Sequence, residues 1–133
     1  MNQGPAQSEM PIADAPSLRV YAMPADTNPR GDVFGGWLMS QMDLASGTFA
    51  RYIALNRVVT VKAETTFLKA VEVGDDISIY CRVARIGNTS ITVEIECWAK
   101  RLRSENVIKV TEGIYTFVAI SDEGVPQPIP KSH

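Results

Sequence analysis

The sequence predicts a single α+β domain in which an antiparallel sheet of about five strands wraps one long central helix, and three observations carry that expectation. A chain of 133 residues suits one fold unit, since a protein of this size hides roughly two thirds of its unfolded surface. Between Gly36 and about Leu55 the residues are mostly helix formers, and Trp37, Leu38, Met42, Leu44, Ala45, Phe49, Ile53 and Leu55 spread over too much of the wheel for a simple surface helix. From Val59 onward the apolar period falls to two and holds through successive segments joined by short turns. A sheet with one apolar face and a helix that is apolar over most of its circumference bury each other.

Residues 1–16 mix polar side chains with prolines and show no periodicity, so they are expected to form a mobile lead-in, with the domain running over 17–121. Leu18 to Met23 suits a short strand, and Pro24, Asn28, Pro29 and Gly31 then break the backbone into a loop that enters the helix. After the helix, Val59, Val61 and Ala63 alternate with Thr60, Lys62 and Glu64, and Val73-Gly74-Asp75-Asp76 supplies a turn. In Asp76 to Ile86 the residues Ile77, Ile79, Cys81 and Val83 share one face. After a Gly87-Asn88 hairpin turn, Ile91, Val93, Ile95, Cys97 and Ala99 do the same. A last strand spans about Ile108 to Ile120, with Gly113 marking a bulge or a close approach, and the Pro-rich residues 122–133 are expected to be a second loose tail.

Composition narrows the function. Thirteen Lys plus Arg against fifteen Asp plus Glu leave a formal charge of −2, with no basic block suited to nucleic acid. Cys81 and Cys97 lie in alternating strands without metal-ligand spacing, so they are expected to be buried thiols rather than a zinc site or a disulfide. No apolar stretch approaches the ~20 residues that a spanning helix needs, and no charged then apolar leader opens the chain, which points to a cytoplasmic protein without a membrane partner. The only histidine, His133, sits in the Pro-rich tail. Ser-His and Cys-His catalysis are thereby excluded from the folded part.

One carboxylate stands out. Asp43 lies seven positions after Gly36, two helical turns, so the two share a side of the helix with Met39, Ser40 and Gly47. Either Asp43 occupies a solvated stripe, or it is a functional acid in a helix whose flanking Met42, Leu44 and Ala45 suggest an interior setting. Gly35-Gly36 admits two readings as well: a pair of residues that lets the loop turn into the helix, or a helix start whose bare amides a ligand reaches closely. Seven residues at 1.5 Å rise separate Asp43 from its own helix start by roughly 10 Å, too far for both to act on one carbonyl carbon. Two subunits paired with antiparallel helices would bring the Gly36 amide of one to Asp43 of the other, making a homodimer the catalytic unit.

The segment MPADTNPRGDVFGGWLMSQMD, followed by RVVTV, TFLK, VGD and GNTSITVEIECWAKR, resembles the YciA-type acyl-CoA thioesterases of the hotdog-fold superfamily over about Leu18 to Pro130. The resemblance implies a helix wrapped by an antiparallel sheet, a dimer assembled further into a trimer of dimers, and hydrolysis of acyl-CoA to free CoA and a carboxylic acid. No cofactor or metal is implied, because CoA is part of the substrate and product. By the same resemblance Asp43 is the catalytic carboxylate, Gly36 supplies the amide that polarises the thioester carbonyl, and Asp32 orients the centre. The implied substrate contacts are Asn28, Phe34, Gly35, Phe67, Lys69, Arg85, Thr89, Ser90, Lys100 and Arg101. Lys69, Arg85, Lys100 and Arg101 supply cations for the CoA phosphates, Phe34, Trp37 and Phe67 can line an acyl or pantetheine tunnel, and Trp98 suggests a subunit contact or adenine stacking. Ala70 stands where the family usually has proline, so the loop around it is expected to differ.

A thioester carbonyl is electrophilic and its thiolate leaves readily, so one carboxylate and one oxyanion donor suffice without histidine. Asp43 could activate water as a general base or attack directly to form a mixed anhydride, and both routes fit the sequence. The alternative of a different class is a non-catalytic acyl-CoA-binding sensor or carrier. A hotdog dehydratase would need a positioned histidine.

Overall fold

The computed structural model describes residues 10–130. Helix α1 spans Gly35–Ala54, and the strands are β1 Leu18–Tyr21, β2 Arg57–Phe67, β3 Asp76–Ile86, β4 Ser90–Lys100 and β5 Val107–Ile120. The five form one antiparallel sheet in the order β1-β3-β4-β5-β2. The expected architecture and the hairpin joining β3 to β4 are both present. Among the described residues no helix is long and apolar enough to cross a membrane.

The core lies between α1 and the concave face of the sheet. Ile77, Ile79 and Cys81 of β3, Ile91, Val93, Ile95, Cys97 and Ala99 of β4, and Tyr115, Phe117 and Ala119 of β5 are all buried. These are the alternate positions that the period of two selects, and each large aliphatic side chain so buried contributes about 1.5–3 kcal/mol. Burial pushes the Cys81 thiol up to about 11, and the Cys97 thiol is raised further for the same reason. Gly113 marks a close approach rather than a bulge. A Cβ there would stand 2.8 Å from Met42 Cε and 2.9 Å from Glu64 O, so only glycine lets α1 settle this near the sheet.

Helix α1 buries one stripe: Leu38, Met42, Ala45, Ser46, Ala50 and Ala54. The expectation of a largely buried helix is corrected here, for Leu44 is 57% exposed, Tyr52 77% and Leu55 71%. A sheet covers only one side of a helix, and in a single chain nothing packs on the other. The helix ends at Leu55, whose φ of 54° is left-handed and whose amide returns to Arg51 O at 2.9 Å, closing the last turn without the usual glycine.

Both presumed tails are tied down in part. Residues 1–9 lie outside the described residues, but in the remainder of the lead-in the Ile12 amide donates to Glu96 Oε1 at 3.2 Å. The same oxygen accepts from Trp98 Nε1 at 3.0 Å. Trp98 is only 3% exposed although it stands on the convex face, so its ring is not presented for adenine stacking. At the other end Gln127 N donates to Ala119 O and Ile129 N to Asn88 O, with Ile129 3% exposed. The expected boundary at 121 therefore moves to about 130, since one isoleucine in a Pro-rich segment is enough to anchor it. His133 lies outside the described residues. Ile129→Ala is expected to cost about 2–4 kcal/mol, read as a lower urea midpoint with unchanged slope.

Candidate active site

The loop before α1 is built by Asn28. Its Oδ1 accepts from Arg30 N at 2.9 Å and from Asp32 N at 3.1 Å, and Gly31 takes φ +90° to complete the turn. The loop thus holds Asp32 at the surface, two residues ahead of Phe34, the N-cap of α1. No side chain caps the helix start, and no acidic residue stands in its first turn. The earliest intrahelical bond there is Leu38 N to Phe34 O, which leaves the amides of Gly35, Gly36 and Trp37 pointing out of a positive helix end. A Cβ on Gly36 would meet nothing within 4 Å, whereas one on Gly35 would stand 3.1 Å from the Phe67 ring. Gly35 is filled by Phe67; Gly36 is open to a ligand.

Beside this helix start lies a cavity of about 330 Å³ lined by Val33, Phe34, Gly35, Leu38, Phe67, Leu68, Lys69, Ala70 and Val71. Four expected substrate contacts, Phe34, Gly35, Phe67 and Lys69, therefore gather at one place. Apart from Lys69, which supplies a cation, the side chains that line it are apolar. Trp37 is half-buried and packs against the core.

Asp43 sits two turns further along α1 and is exposed. Its Oδ1 accepts a hydrogen bond from Thr60 Oγ1 at 2.6 Å, which fixes the carboxylate and leaves Oδ2 open. The expected interior setting is corrected: Met42 and Ala45 are buried, but Asp43 and Leu44 between them face outward. Thr60 was assigned by period to the polar face opposite Val59 and Val61. A bulge between Thr60 and Lys62 shifts the register against β5. Thr60 therefore shares a face with its partner Phe117, and beyond the bulge Ala63 and Thr65 take over that face. Two consecutive valines before Thr60 and a third after it are the only sequence trace of this change of phase.

The other expected contacts divide by position. Thr60 pairs with Phe117, which pairs with Ile91, so Asp43 lies at the end of the sheet where Arg85, Thr89 and Ser90 flank the β3–β4 hairpin. Phe67 pairs with Thr111, opposite Cys97, which puts the cavity and Lys100 at the other end. Arg101 is already engaged, its Nη1 bonded to Asp75 Oδ2 at 2.8 Å and its Nη2 to Ala70 O at 3.0 Å. A single chain therefore places Asp43 near one end of β2 and the bare amides of the helix start, with the cavity, at the other.

Strand β2 is a sheet edge, and its outer side is unpaired within the chain. Its eleven residues are nearly all exposed, among them Val59 at 40%, Val61 at 56% and Phe67 at 50%. A long, exposed, apolar edge is a template for pairing with another chain.

The family model described as "Thioesterase superfamily" matches residues 30–105. The acyl-CoA thioester hydrolase YciA of Salmonella typhimurium is 50% identical over 117 residues, 85% of this chain and 88% of that protein. The crystal structure of a hexameric thioesterase from Yersinia pestis superposes with a TM-score of 0.85 at 46% identity, covering 92% of this chain and all of that one. An acyl-CoA hydrolase from Staphylococcus aureus, solved with butyryl coenzyme A, coenzyme A and coenzyme A disulfide, gives a TM-score of 0.80 at 28% identity over 87% of this chain and 71% of that one.

Proposed function

The chain belongs to the thioesterase superfamily as a YciA-type acyl-CoA thioester hydrolase with a hotdog fold, and from that premise we propose that its active site is shared between two protomers: Asp43 and Thr60 of one, the Gly36 amide and the apolar cavity of the other. The observation that carries this is the division of the half-sites along β2. Thr60 and Phe67 are seven residues apart, roughly 23 Å at 3.3 Å per residue. Antiparallel pairing of two β2 edges reverses one strand against the other, bringing the Thr60 end of each to the Phe67 end of its partner. It also covers the exposed apolar edge, and the exposed face of α1 offers Leu44 and Tyr52 to the same contact.

In the shared site the thioester oxygen lies against the outward amides of the helix start and the acyl chain enters the apolar cavity. Asp43, its Oδ1 held by Thr60, removes a proton from water, the water oxygen adds to the carbonyl carbon, and the charge that forms on the carbonyl oxygen is met by the Gly36 N–H. Collapse breaks the C–S bond, and the proton that Asp43 took from water passes to the leaving CoA thiolate, which restores the carboxylate. Asp32 and Asn28 hold the loop that aims the helix start. Lys69, Arg85 and Lys100, with the Thr89-Ser90 turn, supply the charges and donors for the CoA phosphates. Three such dimers form a homohexamer, and the reducing cytoplasm suits two buried free thiols.

Colorimetric release of free thiol from short, medium and long acyl-CoAs tests the activity, and wild-type binding without release would sink it. Thr60→Val, which keeps the shape and removes the donor, is expected to lower kcat about tenfold with little change in KM, since a hydrogen bond to a charged group contributes about 1.5 kcal/mol or more.

A further inference from the structure

Leu68 to Val71 form one wall of the cavity, and the hold of the Leu68 to Asp75 segment on the fold passes through groups that take no part in the reaction. Asp75 is 1% exposed. Its Oδ2 accepts from Arg101 Nη1 at 2.8 Å and from Glu72 N at 2.9 Å, while Nη1 also faces Glu72 Oε2 at 3.3 Å. The second arm of the same guanidinium, Nη2, donates to Ala70 O at 3.0 Å. Main-chain bonds fix the two neighbours: Lys69 N reaches Val110 O, and Val71 O accepts from Val33 N. Ala70 lies between them on the cavity wall, tied to the end of β4 through Arg101.

We propose that Arg101, seated on the buried Asp75, is a positioning residue that sets how long an acyl chain the cavity accepts. The inference rests on the reading that the acyl chain enters that cavity. A planar guanidinium can hold a carboxylate with one arm and a carbonyl with the other, and an ammonium is a single point charge that cannot span both. Lysine at 101 therefore keeps the charge over Asp75 and releases Ala70, letting the wall move while the fold stands. Burial raises the Asp75 carboxyl above its usual value, so an unpartnered Asp75 is costly. Lysine, rather than an apolar residue, is thus the informative replacement.

The test measures kcat and KM for Arg101→Lys and Asp75→Asn over a series of saturated acyl-CoAs, with inhibition by free CoA measured beside it. Kcat on the shortest substrates is expected within about threefold of wild type. The preference for the best chain over one four carbons longer should fall at least fivefold, mostly through KM, with CoA inhibition unchanged. Asp75→Asn, which weakens the seat of the guanidinium while leaving Arg101 itself in place, should move the profile the same way and covers the case in which Arg101→Lys fails to fold. An unchanged profile in both variants would overturn the proposal. So would a parallel loss at every chain length with weaker CoA inhibition, which would make Arg101 a phosphate ligand. A wild-type protein that releases no CoA at all would sink the hydrolase reading itself, and this proposal with it.

Discussion

Replacement of Asp43 by asparagine is expected to lower kcat for acyl-CoA hydrolysis by about 10²–10⁴-fold, the range that a positioned general base contributes. Asparagine keeps the size of the side chain and an oxygen that accepts from Thr60, so the 2.6 Å contact to Thr60 and the helix around it should persist. What is lost is the basicity of the oxygen that faces the substrate. KM and inhibition by free CoA are expected to change little, because the carboxylate acts on water and not on the nucleotide. Unchanged turnover would remove Asp43 from the chemistry and with it the central claim about the site. Trapping on the wild-type enzyme separates the two routes open to an aspartate. If Asp43 attacks directly, a mixed anhydride forms on the wild-type enzyme, and hydroxylamine should trap it during turnover; if it activates water, no acyl-enzyme is trapped.

The second large effect concerns the division of labour between protomers. Gly36→Val is expected to be inactive yet folded, since a side chain there meets nothing within 4 Å of its Cβ and projects into the space where the thioester oxygen must approach the amides. Co-refolding equal amounts of the Gly36→Val and Asp43→Asn chains, each inactive alone, should restore about a quarter of wild-type activity: random pairing makes half the dimers mixed, and each mixed dimer carries one intact site and one doubly altered site. The prediction is specific to a shared site. If Asp43 and Gly36 of the same chain served the same carbonyl, every site in the mixture would carry one defect and no activity would return. The roughly 10 Å of helix between the two residues argues for recovery.

Much of this protein was legible before any coordinates. The helix, the four long strands, the Gly87-Asn88 hairpin and the concave faces of β3 and β4 follow from apolar periods of 3.6 and two, which are local properties of the chain. Gly113 signalled a bulge or a close approach, of which the structure shows the close approach, and the helix rise put Asp43 roughly 10 Å from its own helix start. Less was legible at the margins. Ile129 holds the C-terminal segment against the hairpin because of where that hairpin lies, and nothing in a Pro-rich run signals it. Trp98, on the polar side of its strand by period, is buried because the lead-in segment crosses the convex face and shares Glu96 with it.

By itself the sequence determined the secondary structure and the architecture, and it singled out Asp43 as the candidate acid, because these readings depend on residue type and on spacings of at most two helical turns. Only the tertiary structure decided that Thr60 holds Asp43, that Arg101 is bonded to Ala70 on the cavity wall, and that Asp43 and the bare helix start stand at opposite ends of an edge unpaired within the chain. Each of these is set by the register between strands distant in sequence. A single inserted residue in β2 turned Thr60 toward the helix, and a bulge of that kind has a cost and a benefit that exist only once β5 is paired beside it.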